Sequence, residues 1–347
     1  MSTKIEWCSY VAPDGTVIKG QTWNGIKGCS KAGYKPVDGG PKRTHPGCLH
    51  CYAERFCARN MHGEAATVGR WDGTIEFYPE RLAWPFTKPG YKPRKDGHKT
   101  IVFLASESDM GHPNVPDEVW KAINGMMLLS PWIIWKDLTK RPEIQAERIE
   151  RWSPAVCVDA FARLKPGGYV VNGRDWLKDG WPNRWDHYKH IHRYVSASDQ
   201  ATADSLIPEL LRMPAAVRGI SLEPMIGAVD LAYAAFTGAE SFSALGNINH
   251  VIIGGESGPG ARPFPVKAAW DVVLQCKAAG MPVYVKQLGR CPVVSNINSM
   301  DWPEHVNFAD EKAVFGTAAG ARVCLRSRKG SDPAEWPEAL RVREQVL

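Results

Sequence analysis

The stretch Thr100-Ile101-Val102-Phe103-Leu104-Ala105-Ser106-Glu107-Ser108-Asp109 decides the fold, because a run of apolar residues passes directly into a polar turn. A short apolar run bounded by turn residues is typical of a buried strand. The same pattern recurs along the chain at residues 132–135, 168–171, 192–195, 217–222, 250–253 and 282–285.

Segments compatible with helices separate these runs. Pro116 and Asp117 are residues that begin helices, and residues 205–212 space their leucines and isoleucine as a helix does. Strands that alternate with helices predict βαβ units and a parallel sheet, so we expect an α/β protein. A chain of 347 residues, 44% of them hydrophobic, is long enough to bury one large core or two modest ones.

Composition excludes several classes of protein. No apolar run approaches the roughly 18 residues that span a bilayer, and the first residues lack the apolar core of a signal peptide. We therefore expect a cytoplasmic protein without a membrane partner. The nine cysteines are then thiols or metal ligands, since disulfides are rare in a reducing compartment. A net charge of +6 permits a polyanionic partner but is too low for a dedicated DNA-binding protein.

Polar residues are concentrated where the predicted strands end. These turns are residues 106–109, 138–142, 196–199, 221–224, 254–258 and 286–289. In parallel α/β sheets the ligand binds at the carboxyl ends of the strands, so the set predicts an active site there. The alternative is that each Ser or Asp only caps the helix that follows it.

Three cysteines near the beginning of the chain predict a metal site. Cys48 and Cys51 are close enough in sequence for both sulfurs to reach one metal, and Cys29 can fold back onto it across a loop rich in Gly and Pro. Spacing alone favours zinc and an iron–sulfur cluster about equally. A zinc site would recruit Cys57 as a fourth thiolate, or His45 or His50 in place of one thiolate.

A segment rich in tryptophan and basic residues spans residues 173–192, in a predicted insertion at about residues 172–191. It contains Trp176, Trp181 and Trp185 among arginines, lysines and histidines. Aromatic residues interleaved with cations are typical of surfaces that stack bases and contact phosphates. The alternative is that these tryptophans fill the core.

The chain also resembles a known family, the phage-associated three-cysteine-motif family, which is defined only as a domain of unknown function and is similar in layout to radical S-adenosylmethionine enzymes. The resemblance extends from Lys4 through the tail. The residues that carry it are Cys29, Pro46-Gly47-Cys48-Leu49-His50-Cys51-Tyr52-Ala53-Glu54, Leu138-Thr139-Lys140-Arg141-Pro142-Glu143, Glu223-Pro224, Gly254-Gly255-Glu256-Ser257-Gly258-Pro259-Gly260-Ala261-Arg262-Pro263, Lys286-Gln287-Leu288-Gly289 and Trp336-Pro337.

The resemblance implies a partial (β/α)6 TIM-like barrel over residues 1–289, with the metal loop after the first strand, and an irregular C-terminal extension over residues 290–347 packed on it. It implies that Cys29, Cys48 and Cys51 hold a [4Fe-4S] cluster whose fourth iron is chelated by S-adenosylmethionine. An electron from a donor such as flavodoxin or ferredoxin would then cleave S-adenosylmethionine to a 5'-deoxyadenosyl radical, which abstracts a substrate hydrogen.

One departure from that superfamily affects the third ligand. Eighteen residues, rather than three, separate Cys29 from Cys48, so Cys57 is the alternative to Cys29.

The resemblance also implies roles for the polar residues. Tyr52 would lie against the adenine, and Gly254, Gly255 and Glu256 match a stretch that binds the amino group of the cofactor. Because that stretch follows a late strand here, Ser106 and Asp109 are the alternative for the amino group. The remaining expected contacts to the ribose, the methionine moiety or an anionic substrate group are Ser196, Ser198, Glu223, Lys140, Arg141 and Lys286.

Two hypotheses follow. In the first, the protein is a radical S-adenosylmethionine enzyme that acts on a nucleobase or nucleotide, such as hypermodified phage DNA. In the second, it is a zinc-stabilised nucleic-acid-binding or accessory protein without redox chemistry.

Overall fold

A computed structural model describes residues 5–59, 71–164, 182–232, 244–296, 300–311 and 320–347. Its centre is a curled sheet of seven parallel strands, a half-barrel, whose spatial order follows the order of the sequence. The strands are β1 (Gln21–Trp23), β2 (Thr100–Leu104), β3 (Ile133–Thr139), β4 (Ile191–Ala197), β5 (Val217–Leu222), β6 (His250–Gly254) and β7 (Val283–Gln287).

The predicted α/β class with a parallel sheet is therefore confirmed, and the half-barrel is compatible with a TIM-like fold. Six of the predicted apolar runs form β2 to β7. The run at residues 168–171 lies outside the described residues. Strand β1 has no apolar run because it is short and includes Gln21 and Thr22, yet it pairs in register with β2.

Eight α-helices lie within the described residues. They are α1 (Pro46–Leu49), α2 (Tyr52–Arg59), α3 (Trp84–Thr87), α4 (Asp117–Leu128), α5 (Pro142–Arg151), α6 (Pro154–Leu164), α7 (Gln200–Arg212) and α8 (Val266–Ala278). The predicted helix start at Pro116 and Asp117 is the start of α4, and residues 205–212 belong to α7. None of the described helices is long and apolar enough to cross a membrane.

Alternation along the strands separates two faces of the sheet. One set of side chains, such as Val102 and Trp135, packs with the helices in two large apolar clusters. The opposite set, such as Phe103 and Tyr194, forms a smaller cluster with Trp7 and Cys8 on the inner face. The inner face is thus covered by chain from the N-terminal region.

The C-terminal region differs from the irregular extension that we predicted. Strands at Pro292–Val294, Asn307–Glu311 and Gly320–Cys324 form a four-stranded sheet with Phe264–Pro265. Pro292–Val294 pairs with two distant segments, Phe264–Pro265 and Gly320–Cys324, so its short run carries no local strand signal. Asn307–Glu311 pairs with Gly320–Cys324, the next described strand along the chain. The extension does pack on the half-barrel, since the fully buried Trp336 belongs to the same apolar cluster as Val272 and Val273 of α8.

Trp185, the tryptophan of this segment that the structure describes, lies in the core. Trp185 is 7% exposed, its ring centroid is 6.2 Å from that of Trp120, and its indole nitrogen donates to the Trp152 carbonyl. This residue therefore follows the core alternative rather than the predicted nucleic-acid contact. Trp176 and Trp181 lie outside the described residues.

Candidate functional site

A cavity of about 600 Å³ opens at the carboxyl ends of the strands, a volume typical of small-molecule sites. The turns after β2, β3, β5 and β6 and the end of β7 all reach it. The sequence-predicted residues that line it are Cys29, Cys48, Cys51, Tyr52, Ser106, Asp109, Lys140, Arg141, Glu223, Gly255, Glu256 and Lys286.

The three predicted metal-binding cysteines come from the segment after β1 and face this one cavity. Cys29 and Cys48 are each 8% exposed, Cys51 is partly buried, and all three are free thiols. The backbone N–H of Ala32 donates to Cys48 Sγ at 3.4 Å. His45 shapes the turn, since its Nδ1 accepts from the Gly47 N–H at 3.0 Å at the start of α1.

Burial and two cations set the protonation of these thiols. Burial and the Asp109 carboxylate together raise the pKa of Cys29 to about 11, against the opposing charge of Arg141. Burial also raises the pKa of Cys48, against the opposing charge of Lys140. The thiols of Cys29 and Cys48 are therefore protonated at neutral pH, and a metal centre that binds them displaces their protons.

Of the alternative metal ligands, His50 lines the cavity beside Cys51, with its Nδ1 3.6 Å from Glu256 Oε2, whereas Cys57 and His45 do not line it. Cys57 is 2% exposed on α2 and does not line the cavity. His45 is engaged at both ring nitrogens, because Nε2 donates to the Ser196 carbonyl at 2.9 Å, and burial lowers its pKa to about 3. Across the described ranges, no group of three or more His, Cys, Asp or Glu side chains is arranged around one metal ion.

Asp109 and Arg141 form a buried ion pair at 3.0 Å beside Cys29. Both carboxylate oxygens of Asp109 accept further hydrogen bonds, from Thr139 Oγ1 at 2.6 Å and from backbone N–H groups. Burial raises the pKa of Asp109, but Arg141 and these donors outweigh it and hold the carboxyl ionised. Arg141 also donates to the Ser30 carbonyl at 2.7 Å, and its Nη1 lies 3.7 Å from Cys29 Sγ. Asp109 thus orients Arg141 and has no oxygen left without a donor.

Glu256 is held in the same manner by Arg262. The guanidinium contacts both carboxylate oxygens, with Nη2 to Oε1 at 2.6 Å, and a second hydrogen bond runs from Nη2 to the Pro46 carbonyl at 2.9 Å. The turn after β6 is therefore tied to the turn that carries Cys48. Arg262 belongs to the quoted motif, but the sequence does not show that it pairs with Glu256. The one sequence feature that relates the two residues is their spacing of six positions.

Glu223 and Lys286 form a third ion pair at the mouth of the half-barrel, and both side chains are mostly buried. Burial would lower the pKa of Lys286, but Glu223 more than compensates and raises it. Lys286 is consequently charged, and both side chains line the cavity. Unlike Asp109, neither has a hydrogen bond from a backbone group among the described residues.

Three predicted contacts do not line the cavity and are better described as supports. Ser196 is fully buried, and its hydroxyl donates to the Glu223 carbonyl at 3.2 Å. Ser198 is fully buried in the turn that caps α7. Gly254 lies against Glu223, since a Cβ there would be 3.4 Å from the Glu223 side chain. Polarity at a strand end therefore did not distinguish a ligand contact from a support.

Gly255 and Tyr52 show why their residue types are needed. A Cβ at Gly255 would come within 2.6 Å of the Leu288 carbonyl oxygen, so only glycine allows the turns after β6 and β7 to approach each other. Tyr52 is 61% exposed, while its hydroxyl donates to the Ser106 carbonyl at 3.0 Å. Its ring is thus presented to the cavity rather than packed in the core.

A family model described as "Protein of unknown function (DUF5131)" matches residues 2–312. The match covers most of the chain, so the chain belongs to this family. No curated protein and no solved structure matches it. The phage association, the three-cysteine motif and the relationship to radical S-adenosylmethionine enzymes stay predictions.

Proposed function

We propose that this member of the DUF5131 family is a radical S-adenosylmethionine enzyme that holds a [4Fe-4S] cluster on Cys29, Cys48 and Cys51. The observation that carries the proposal is that the three thiols and the polar strand ends meet in one cavity. Three thiols from the segment after β1 face the cavity into which the polar ends of β2, β3, β5, β6 and β7 open.

The donor set fits a cluster with one open iron. Three thiols line the cavity, whereas Cys57, the candidate fourth, does not. The Ala32 N–H at Cys48 Sγ is a backbone hydrogen bond of the kind that tunes the potential of iron–sulfur centres. Arg141 and Lys140 offset the negative charge that the thiolates bring into a buried site.

The bound group would supply an electron that cleaves S-adenosylmethionine to methionine and a 5'-deoxyadenosyl radical, which abstracts a hydrogen atom from the substrate.

The chain's own residues bind and orient the cofactor in this proposal. The carboxylate of Glu223 suits the ammonium of the methionine moiety, and the ammonium of Lys286 suits its carboxylate. The exposed ring of Tyr52 provides an aromatic face for the adenine. Phe103 and Leu138 form an apolar part of the wall, which limits the access of water to a reactive intermediate.

Anaerobic purification and reconstitution test the proposal. We expect a brown protein with iron and sulfide that forms 5'-deoxyadenosine when it is reduced, chemically or by flavodoxin, in the presence of S-adenosylmethionine. Cys29→Ala, Cys48→Ala and Cys51→Ala should each abolish the cluster. Cys57→Ala is the matched control, since it removes a buried thiol outside the cavity and should keep the iron content.

Two results would contradict this assignment. A colourless protein that retains stoichiometric zinc after anaerobic iron reconstitution would support the zinc-stabilised alternative instead. Loss of iron in Cys57→Ala together with full iron in Cys29→Ala would move the third ligand from Cys29 to Cys57.

A further inference from the structure

We propose that the rim of this cavity binds a nucleotide unit, with the base stacked on Phe56 and the phosphate held by Arg55 and Lys329. The inference rests on the proposed function for its chemistry, because it names the substrate class that the same cavity would accept. Its binding test does not depend on cofactor cleavage.

The first observation is a pair of exposed aromatic side chains on one face of α2. Among the described residues, Tyr52 and Phe56 are the two large aromatic side chains that are mostly exposed; their exposed fractions are 61% and 51%. They lie four residues apart on α2 and therefore on one side of that helix. Both line the cavity, as does the partly buried Trp71. With Tyr52 assigned to the adenine of the cofactor, Phe56 is left, one turn farther along α2, for a second planar group.

The second observation is an excess of positive charge. Four carboxylates line the cavity, and Asp109, Glu223 and Glu256 are each paired with a cation. Apart from Lys140, which offsets thiolate charge, Arg55 and Lys329 also line it, and neither forms an ion pair with a carboxylate in the part of the chain that the structure describes. These cations outnumber Glu6, the remaining carboxylate. An anionic ligand is therefore favoured at this site.

The two features are adjacent in the chain and tied to the site. Arg55 precedes Phe56 on α2, and its Nη1 donates to the Pro259 carbonyl at 3.1 Å, which fixes the guanidinium over the turn after β6. Lys329 comes from the C-terminal region, far from Arg55 in sequence, and is exposed. A planar apolar group together with a negative charge describes a nucleotide, in which the base stacks and the phosphate meets Arg and Lys.

Equilibrium binding to the full chain, with cluster and S-adenosylmethionine present but no reductant, tests the inference. The probes are thymidine 5'-monophosphate, thymidine and a short single-stranded oligothymidylate, because a pyrimidine avoids competition for the adenine contact. We expect saturable binding of the monophosphate, or of the oligomer, and much weaker binding of thymidine. Phe56→Ala should weaken binding about tenfold, while Phe56→Trp should restore it.

Matched controls lie on α8, away from the cavity. Leu274→Ala removes a side chain that is 47% exposed, and Lys277→Gln removes an exposed lysine, so both should bind as the wild type does. Lys329→Gln should weaken the monophosphate more than thymidine. Comparable affinity for monophosphate and oligomer indicates a free nucleotide, and binding of the oligomer alone indicates a unit within a strand.

The inference is overturned if none of the probes binds to protein that carries cluster and cofactor, or if Phe56→Ala and Lys329→Gln bind as tightly as the wild type. Formation of 5'-deoxyadenosine is measured separately and does not depend on either of these binding results. Failure of the nucleotide site and failure of the radical chemistry can therefore be distinguished.

Discussion

Lys136 is a lysine enclosed by the inner face of the half-barrel. It is 1% exposed, its Nζ donates to Gln345 Oε1 at 2.9 Å, and it lies 5.3 Å from the ring centroid of Trp7. No carboxylate pairs with it among the described residues. Burial accordingly lowers its pKa from 10.5 to about 8.

This shift makes stability depend on pH in a defined window. Between pH 8 and 10.5 the unfolded chain keeps the lysine proton while the folded protein has lost it, so the free energy of unfolding rises with pH. Lys136→Met abolishes this contribution. The free energy of unfolding of the wild type relative to Lys136→Met should therefore increase by about 1.4 kcal/mol per pH unit across the window.

Guanidinium unfolding of both proteins at several pH values measures the difference. Lys277→Met is the control, because it replaces an exposed lysine of α8 in the same way and leaves the buried amine in place. A constant difference between wild type and Lys136→Met over the window would show that the buried amine does not titrate there.

Arg141 acts through its shape as well as its charge. One planar group contacts Asp109, the Ser30 carbonyl and the neighbourhood of Cys29, and a lysine cannot reproduce that fork. Arg141→Lys should weaken metal retention by about 10–100-fold, the range typical of partners that orient metal ligands. Iron retained during titration with a chelator measures this effect. Arg151→Lys is the control, since Arg151 is largely exposed, and equal retention in all three proteins would contradict the assignment.

At the scale of the element, α7 begins with a capping box. Asp199 accepts a hydrogen bond from the Thr202 N–H at 3.0 Å, and the Asp199 N–H donates to the Thr202 hydroxyl at 3.1 Å. Asp199→Ala should lower the free energy of unfolding by about 1 kcal/mol, because backbone donors of the first turn lose their acceptor.

Urea unfolding of Asp199→Ala measures the loss, and Asp159→Ala on the exposed side of α6 is the matched control. Because Asp199 does not line the cavity, formation of 5'-deoxyadenosine per folded protein should match the wild type. A selective loss of that activity without loss of stability would mean that the residue binds a ligand rather than caps a helix.

The elements also show which part of the fold could be predicted. Strands β2 to β7 were predictable because a strand packed on both faces is a continuous apolar run, as in Ile101 to Leu104. Strand β1 and the strand Pro292–Val294 were not, since their residues become strand only by pairing with segments far away in sequence.

The candidate site divides in the same way. The cysteines, Glu223 and Lys286 were predictable from residue type and position at strand ends, and the structure brings them to one cavity. The sequence could not distinguish a residue that lines the cavity from one that caps a helix. Ser198 and Glu223 follow similar strands, yet Ser198 lies in a helix cap and Glu223 in the cavity wall. The exposed face of Phe56 has no sequence signal, since only the tertiary structure determines what packs on a helix.

At the scale of the whole molecule, the C-terminal region and the half-barrel share one core. Val294, Val323 and Trp336 belong to the same apolar cluster as Leu288 and the outer side chains of β5 to β7. The backbone also joins them, as the Val285 N–H donates to the Val342 carbonyl at 2.9 Å. Loss of packing in the C-terminal region should therefore also destabilise the half-barrel around the cavity.

Trp336→Ala tests that coupling. The side chain is fully buried and its indole N–H donates to the Gly330 carbonyl at 3.1 Å, so truncation leaves a large void and an acceptor without its donor. We expect a loss of about 3–5 kcal/mol in the free energy of unfolding, and less for Trp336→Phe, which fills most of the volume. Hydrogen exchange of amides in β5 and β6 should accelerate together with those of Gly320–Cys324, because a shared core unfolds as one cooperative unit. Faster exchange confined to the C-terminal sheet would instead show that the boundary predicted at residue 289 separates two independently stable units.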